Sequence, residues 1–229
     1  MKLYLSGLIL LVSFQVFSQN EEENKDWANL NRFKMENAAL PKPAKHEKRI
    51  VFMGNSITEG WQYIDTLFFK NKQYINRGIS GQTTPQMLLR FRQDVIRLEP
   101  HAVAILAGIN DIAQNTGYIS VEDIFGNIQS MAELAKENGI KVVLSSVVPA
   151  NVIPWNDEIK PAEQVNRLNK LLQDYCKKNS YTYLDYYSKL ADEKQGLPPK
   201  YSDDGVHPNL EGYKVMERVF EENLSKILK

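Results

Sequence analysis

The chain has 229 residues, with 28 Lys and Arg set against 28 Asp and Glu, so its formal net charge is zero. Beyond the acidic run at 21–23 there is no block of one sign, which argues against nucleic acid or an anionic membrane as a partner. Cys176 is the sole cysteine, so an internal disulfide is excluded and the fold must hold by packing.

In chain order, Lys2 opens a largely apolar run over residues 3–17, and Val16 and Ser18 are small enough for a signal peptidase to accept before a cut. Residues 1–18 therefore read as an export signal cleaved near Ser18, delivering the protein to the periplasm or the extracellular space. A buried N-terminal helix would have to explain why the run leads straight into the solvated stretch QNEEENKD. The run falls short of the roughly 20 apolar residues that cross a bilayer, and no cysteine near the cut offers a lipid anchor, so integral membrane association is not expected. Residues 19–48 are polar, carry Pro41 and Pro43, and are expected as an N-terminal leader or short helix beside one domain spanning 49–229.

Within that domain, short apolar runs occur at 50–54 (IVFMG), 74–79 (YINRGI), 102–108 (AVAILAG), 142–148 (VVLSSVV) and 181–187 (YTYLDYY). Between and after them, helical spacing is expected over 64–70, 84–98, 121–138, 161–178 and 209–228. In the fourth, Val165, Leu168, Leu172 and Tyr175 make one apolar face. Ser120 followed by Asp123 has the form of a helix N-cap, and Gly139 of a stop. Strand and helix alternate five times, which predicts an α/β fold with a parallel sheet of five strands covered by helices on both sides.

In such a sheet the loops leaving the strands' carboxyl ends line one edge, where ligands bind. Those loops carry GNSIT, SGQTT, GIND, PANVIPW and SDDGVHPN. Ser56 lies two residues past the first strand; alone, it reads as well as a helix cap as a nucleophile. A nucleophile needs a base, and of His46, His101 and His207 only His207 falls on that edge. Asp204, three residues earlier, is placed to take the imidazole Nδ1 proton, leaving Nε2 to draw on a serine hydroxyl; Asp203 is its immediate rival. The oxyanion formed by attack on an ester needs donors, which Gly81 can offer through its N–H and Asn110 through its amide.

GNSIT, NRGISGQ, GIND and DGVH follow the order and spacing of the four blocks of the SGNH hydrolases, the GDSL esterase family, and the chain resembles that family from Arg49 to Tyr213. The resemblance implies a flavodoxin-like three-layer αβα sandwich, Ser56 as nucleophile and first oxyanion donor, Gly81 and Asn110 as the other donors, His207 as base and Asp204 as its orienting acid. No cofactor or metal is required. Asn55 and Ile57 depart from the aspartate and leucine that flank the serine in the family signature.

A substrate pocket is expected from side chains flanking the blocks: Trp61, Gln82, Ile109, Asn151, Trp155 and Tyr201. Aromatic and amide groups together suit sugar rings, which leads to an expected activity on short acyl esters, acetyl first, of a carbohydrate or similar alcohol. A lysophospholipase or thioesterase with a longer acyl pocket, and a glycan-binding protein without turnover, are the competing readings. Oligomeric state is left open.

Overall fold

The computed structural model describes residues 26–70 and 73–229. The expected export signal and the start of the leader, residues 1–25, lie outside the described residues.

Five strands, β1 (Ile50–Gly54), β2 (Tyr74–Gly78), β3 (Ala102–Leu106), β4 (Lys141–Ser145) and β5 (Thr182–Leu184), pair in parallel in the order β2-β1-β3-β4-β5. This is the flavodoxin-like order, and its direction reverses between β1 and β3. Every residue of β1 and β3 is buried, as expected of central strands covered on both faces.

The helices among the described residues are α1 (Lys34–Ala39), α2 (Ser56–Ile64), α3 (Thr66–Phe69), α4 (Thr84–Asp94), α5 (Ile109–Ile112), α6 (Val121–Glu137), α7 (Ala162–Asn179), α8 (Tyr187–Leu190) and α9 (Leu210–Leu228). Helices α4, α6 and α7 pack in a row on one face of the sheet, and α2 packs with α9 on the other. The α7 stripe is buried at Val165, Leu168 and Leu172. Ser120 Oγ accepts the Asp123 N–H at 3.1 Å, which starts α6.

Several boundaries differ from the sequence-based expectation. The stretch expected as helix over 64–70 holds the short α3, and a separate helix, α2, precedes it, capped where Asn55 Oδ1 accepts the Ile57 N–H at 3.1 Å. Ser56 is therefore the first helical residue and not the cap. The stretch 84–98 is α4 followed by a separate 3₁₀ turn at Ile96–Leu98, ended by Glu99 in the left-handed region at φ 49°. The fifth apolar run yields only three strand residues before the chain turns into α8.

Two features of the core bear on the site. Phe52, Trp61, Phe68, Phe69, Tyr74 and Phe220 form one aromatic cluster, with Trp61 stacked on Phe68 at 4.5 Å and on Tyr213 at 5.6 Å. Tyr213 Oη also donates to the Ile57 carbonyl at 2.8 Å, which locks α9 to the first turn of α2. At Gly78 a Cβ would collide with the Glu59 backbone, so glycine is what lets β2 approach the start of α2.

Candidate active site

Strand register builds the site's floor. Gly54 stands opposite Gly78 on one side and Leu106 on the other, so the three chains leave the sheet at one level. Ser56, Gly81 and Asn110 follow two to four residues later, beside the point where strand order reverses. Gly81 takes φ +77°, a backbone state that costs glycine little, and nothing lies within 4 Å of where its Cβ would be. Asn110 Nδ2 donates to the Gln82 carbonyl at 3.0 Å, and a carboxamide has a second proton to give elsewhere.

The fifth loop comes from the far side of the sheet. Ser56 Oγ lies 2.9 Å from His207 Nε2, and His207 Nδ1 lies 2.6 Å from Asp204 Oδ2. The other carboxylate oxygen, Oδ1, accepts the N–H groups of Val206 at 2.9 Å and His207 at 2.8 Å, together with the Ser202 hydroxyl at 3.1 Å. Burial alone would raise the Asp204 carboxyl, but the His207 ring and the backbone donors of His207 and Val206 outweigh it and hold the group below its ordinary value of 3.8. An ionised Asp204 accepting from Nδ1–H fixes the tautomer that leaves Nε2 as an acceptor toward Ser56. Asp203, the rival acid, makes no such contact among the described residues.

Behind the Gly81 and Asn110 loops lies a buried polar frame that sequence inspection misses. Arg90 is fully buried on α4; its guanidinium donates to Gln82 Oε1 at 2.5 Å, Asp94 Oδ2 at 3.1 Å, and the carbonyls of Gly54 at 3.0 Å and Arg77 at 2.9 Å. It thus ties the first two blocks together, although burial lowers its own proton affinity, to about 10. Asp111, next to Asn110, accepts Thr84 N at 2.9 Å and Thr84 Oγ1 at 2.6 Å. Burial raises its carboxyl to about 6, the Thr84 donors opposing. One signal for this frame was in the sequence: Arg90 and Asp94 occupy the face of α4 that otherwise carries buried Met87 and Phe91.

The expected pocket residues divide. Trp61 is 2% exposed within the aromatic cluster and Ile109 is equally buried, so neither side chain reaches the rim. Gln82 is 3% exposed; its carboxamide bridges Arg90 and the Ala28 carbonyl and is a structural tie instead of a ligand contact. Asn151 donates to the Lys194 carbonyl at 3.1 Å, which binds it to the 192–196 loop, and Tyr201 packs half-buried against the core under Lys200. Trp155 is at the rim. It is 46% exposed, its ring lies 5.9 Å from that of His207, and its Nε1 donates to Asn115 Oδ1 at 2.9 Å. Asn115 Nδ2 in turn donates to the Gly81 carbonyl at 3.3 Å, so Trp155 is strapped to the Gly81 loop. A cavity of about 730 Å³ opens beside Gly81 and Trp155.

The sequence profile of the GDSL-like Lipase/Acylhydrolase family matches residues 52–215, and the chain belongs to that family of carboxylic ester hydrolases. A GDSL-like lipase of Bacteroides thetaiotaomicron superposes with a TM-score of 0.85 at 52% identity, covering 87% of this chain and 98% of that one. Among curated relatives, an uncharacterized lipoprotein of Bacillus subtilis is 31% identical over 44% of this chain, and the match spans 48% of that protein's length. An acetylxylan esterase of Geobacillus stearothermophilus is 21% identical over 64% of this chain and 69% of its own. Among the described residues no helix is long and apolar enough to cross a membrane.

Proposed function

We propose that this chain is an exported serine esterase that removes short acyl groups, acetyl above all, from a carbohydrate or similar alcohol. The observation that carries the reading is the unbroken hydrogen-bonded line from Asp204 through His207 to Ser56, on the same sheet edge as the loops of Gly81 and Asn110.

In this mechanism His207 Nε2 takes the proton of Ser56 Oγ as the oxygen attacks the acyl carbonyl. The carbonyl oxygen becomes an oxyanion and is met by the N–H groups of Ser56 and Gly81 and by the free proton of Asn110 Nδ2. The C–O bond to the alcohol breaks, and the imidazolium returns its proton to the departing oxygen. Water then attacks the acyl-serine, with His207 again as base, and releases the acid and free Ser56.

The short-acyl choice is supported by the polar character of the cavity wall, where Ser80, Asn115, Thr116 and Asn156 stand, and by the similarity to an acetylxylan esterase. Export is supported by the character of residues 1–18.

A screen of acetylated polysaccharides for released acetate tests the substrate, and acetyl against decanoyl p-nitrophenyl esters tests acyl length. Acetate release together with acetyl preference is the expected result; a preference for decanoyl would favour the lysophospholipase or thioesterase reading. Covalent labelling by a fluorophosphonate, absent in Ser56→Ala, is expected of an enzyme and not of a glycan-binding protein.

A further inference from the structure

Trp27 lines the same 730 Å³ cavity as Gly81 and Trp155, and the two tryptophans are exposed to a similar degree, 44% and 46%. Asp26 and Asn29 of the leader add polar groups to that wall. Such a volume lies within the range of small-ligand sites, about 300–1,000 Å³.

Trp27 is not a loose surface residue. Three glutamine carboxamides from the second block and α4 reach across to consecutive turns of the leader: Gln86 Nε2 donates to the Trp27 carbonyl at 2.7 Å, Gln82 to Ala28 at 2.8 Å and Gln93 to Leu30 at 2.6 Å. Ala28 and Phe33 are buried beneath them. The Phe33 ring packs against the Arg77 guanidinium at 4.6 Å, and Arg77 in turn donates to Asn37 Oδ1 at 2.8 and 3.0 Å. Because Gln82 is itself clamped by Arg90, the leader's position is set by the frame that also holds the oxyanion loop. Together these ties hold the segment that carries the indole in place before any ligand arrives, which lowers the ordering cost of binding.

We propose that residues 26–29 form the alcohol-side wall of the substrate cleft, with Trp27 and Trp155 as the aromatic faces that receive a pyranose ring while the acyl carbonyl lies at Ser56. The assignment rests on the esterase reading above and adds a residue from outside the domain boundary to its specificity. A polar cavity with two half-exposed indoles matches a sugar, whose C–H face packs on an aromatic ring while its hydroxyls bond to amides and hydroxyls around it. An acyl chain of lipid length would find neither an apolar wall nor a use for those amides.

The test is the ratio of kcat/KM for acetylated xylo-oligosaccharide to kcat/KM for ethyl acetate, in the wild type and in Trp27→Ala, with a thermal melt to confirm that the half-exposed position tolerates the change. The ratio is expected to fall about tenfold, mainly through KM, as truncating an aromatic contact does elsewhere, and Trp27→Phe is expected to recover most of it. A ratio within twofold of the wild type in Trp27→Ala overturns the assignment. Should the wild type release no acetate from the oligosaccharide, the esterase-of-glycans reading falls, and the cleft is judged by titrating Ser56→Ala with unmodified xylotetraose. Fluorescence quenching lost in the Trp27→Ala double variant upholds the sugar site, and no quenching overturns it.

Discussion

The two halves of the candidate site are held in place by different means. The acid and base share one loop, and Asp204 and His207 keep side-chain exposures of 41% and 37%. Their geometry comes from bonds within seven residues: Ser202 Oγ accepts the Asp204 and Gly205 N–H groups, Asp204 Oδ1 accepts those of Val206 and His207, and Gly205 turns at φ +80°. The loop that carries Asn110 is the reverse. Asn110 and Asp111 are buried, and the ties that place them span dozens of residues, 28 from Asn110 to Gln82 and 27 from Asp111 to Thr84. A short turn suffices to aim an imidazole that must move protons, whereas donors that stabilise charge without reorganising need a frame that does not move.

The comparison can be broken first on the exposed side. In Asp204→Asn the carboxamide oxygen is expected to keep accepting the Val206 and His207 N–H groups, which turns its NH₂ toward His207 Nδ1. Nδ1 must then accept, Nε2 carries the proton, and Ser56 loses its base. A fall in kcat of roughly 10⁴-fold with an unchanged melting temperature is the expected outcome. A drop of less than tenfold would mean that Asp204 does not set the tautomer.

On the buried side, Asn110→Ala removes the proposed oxyanion donor and the tether to the Gln82 carbonyl together. Steady-state kinetics are expected to show a loss of about 10²–10³-fold in kcat, with a measurable loss of stability that Asp204→Asn does not share. If KM rises while kcat holds, Asn110 binds the ground state and is not an oxyanion donor.

The smallest effect separates the two aspartates by pH. Asp111 keeps its proton up to about pH 6 in the folded protein, while in the unfolded chain it ionises near 3.8. Between those values the native state binds the extra proton, so this group's contribution to stability declines as pH rises through the window. Asp204 has the opposite sign: its folded value is lowered, so its contribution is present above the unfolded value and is lost as pH falls through the folded one. Denaturant unfolding of wild type and Asp111→Asn at a series of pH values is expected to show their difference changing by a few kcal/mol at most between about pH 4 and 7. No change across that range would show that Asp111 is ionised when buried.

How far these halves could be read from the sequence differs in the same way. Ser56, His207 and Asp204 were legible because each belongs to a loop at the strands' carboxyl ends, and because the carboxylate and imidazole are sequence neighbours whose turn residues mark the loop. The five strands were legible for a similar reason, since a strand covered on both faces must be apolar throughout. Trp61, Gln82 and Ile109 were misplaced at the rim because proximity in sequence to a block does not say which way a side chain turns; each turns into the core or into the frame. Helix α2 was not delimited from the sequence because the capping role of Asn55 is a matter of one side-chain angle.

The amino-acid order alone determined the alternation of elements, the parallel sheet and the loops on which chemistry could stand, since those follow from local periodicity and from chain direction. Only the tertiary structure decided that Gln82 serves Arg90 and the leader, and that Trp27 stands beside the cleft from 54 residues or more before the loop it faces. The reason is physical: a buried polar group is satisfied by whichever partner the packed core brings to it, and that partner is unmarked by any pattern along the chain.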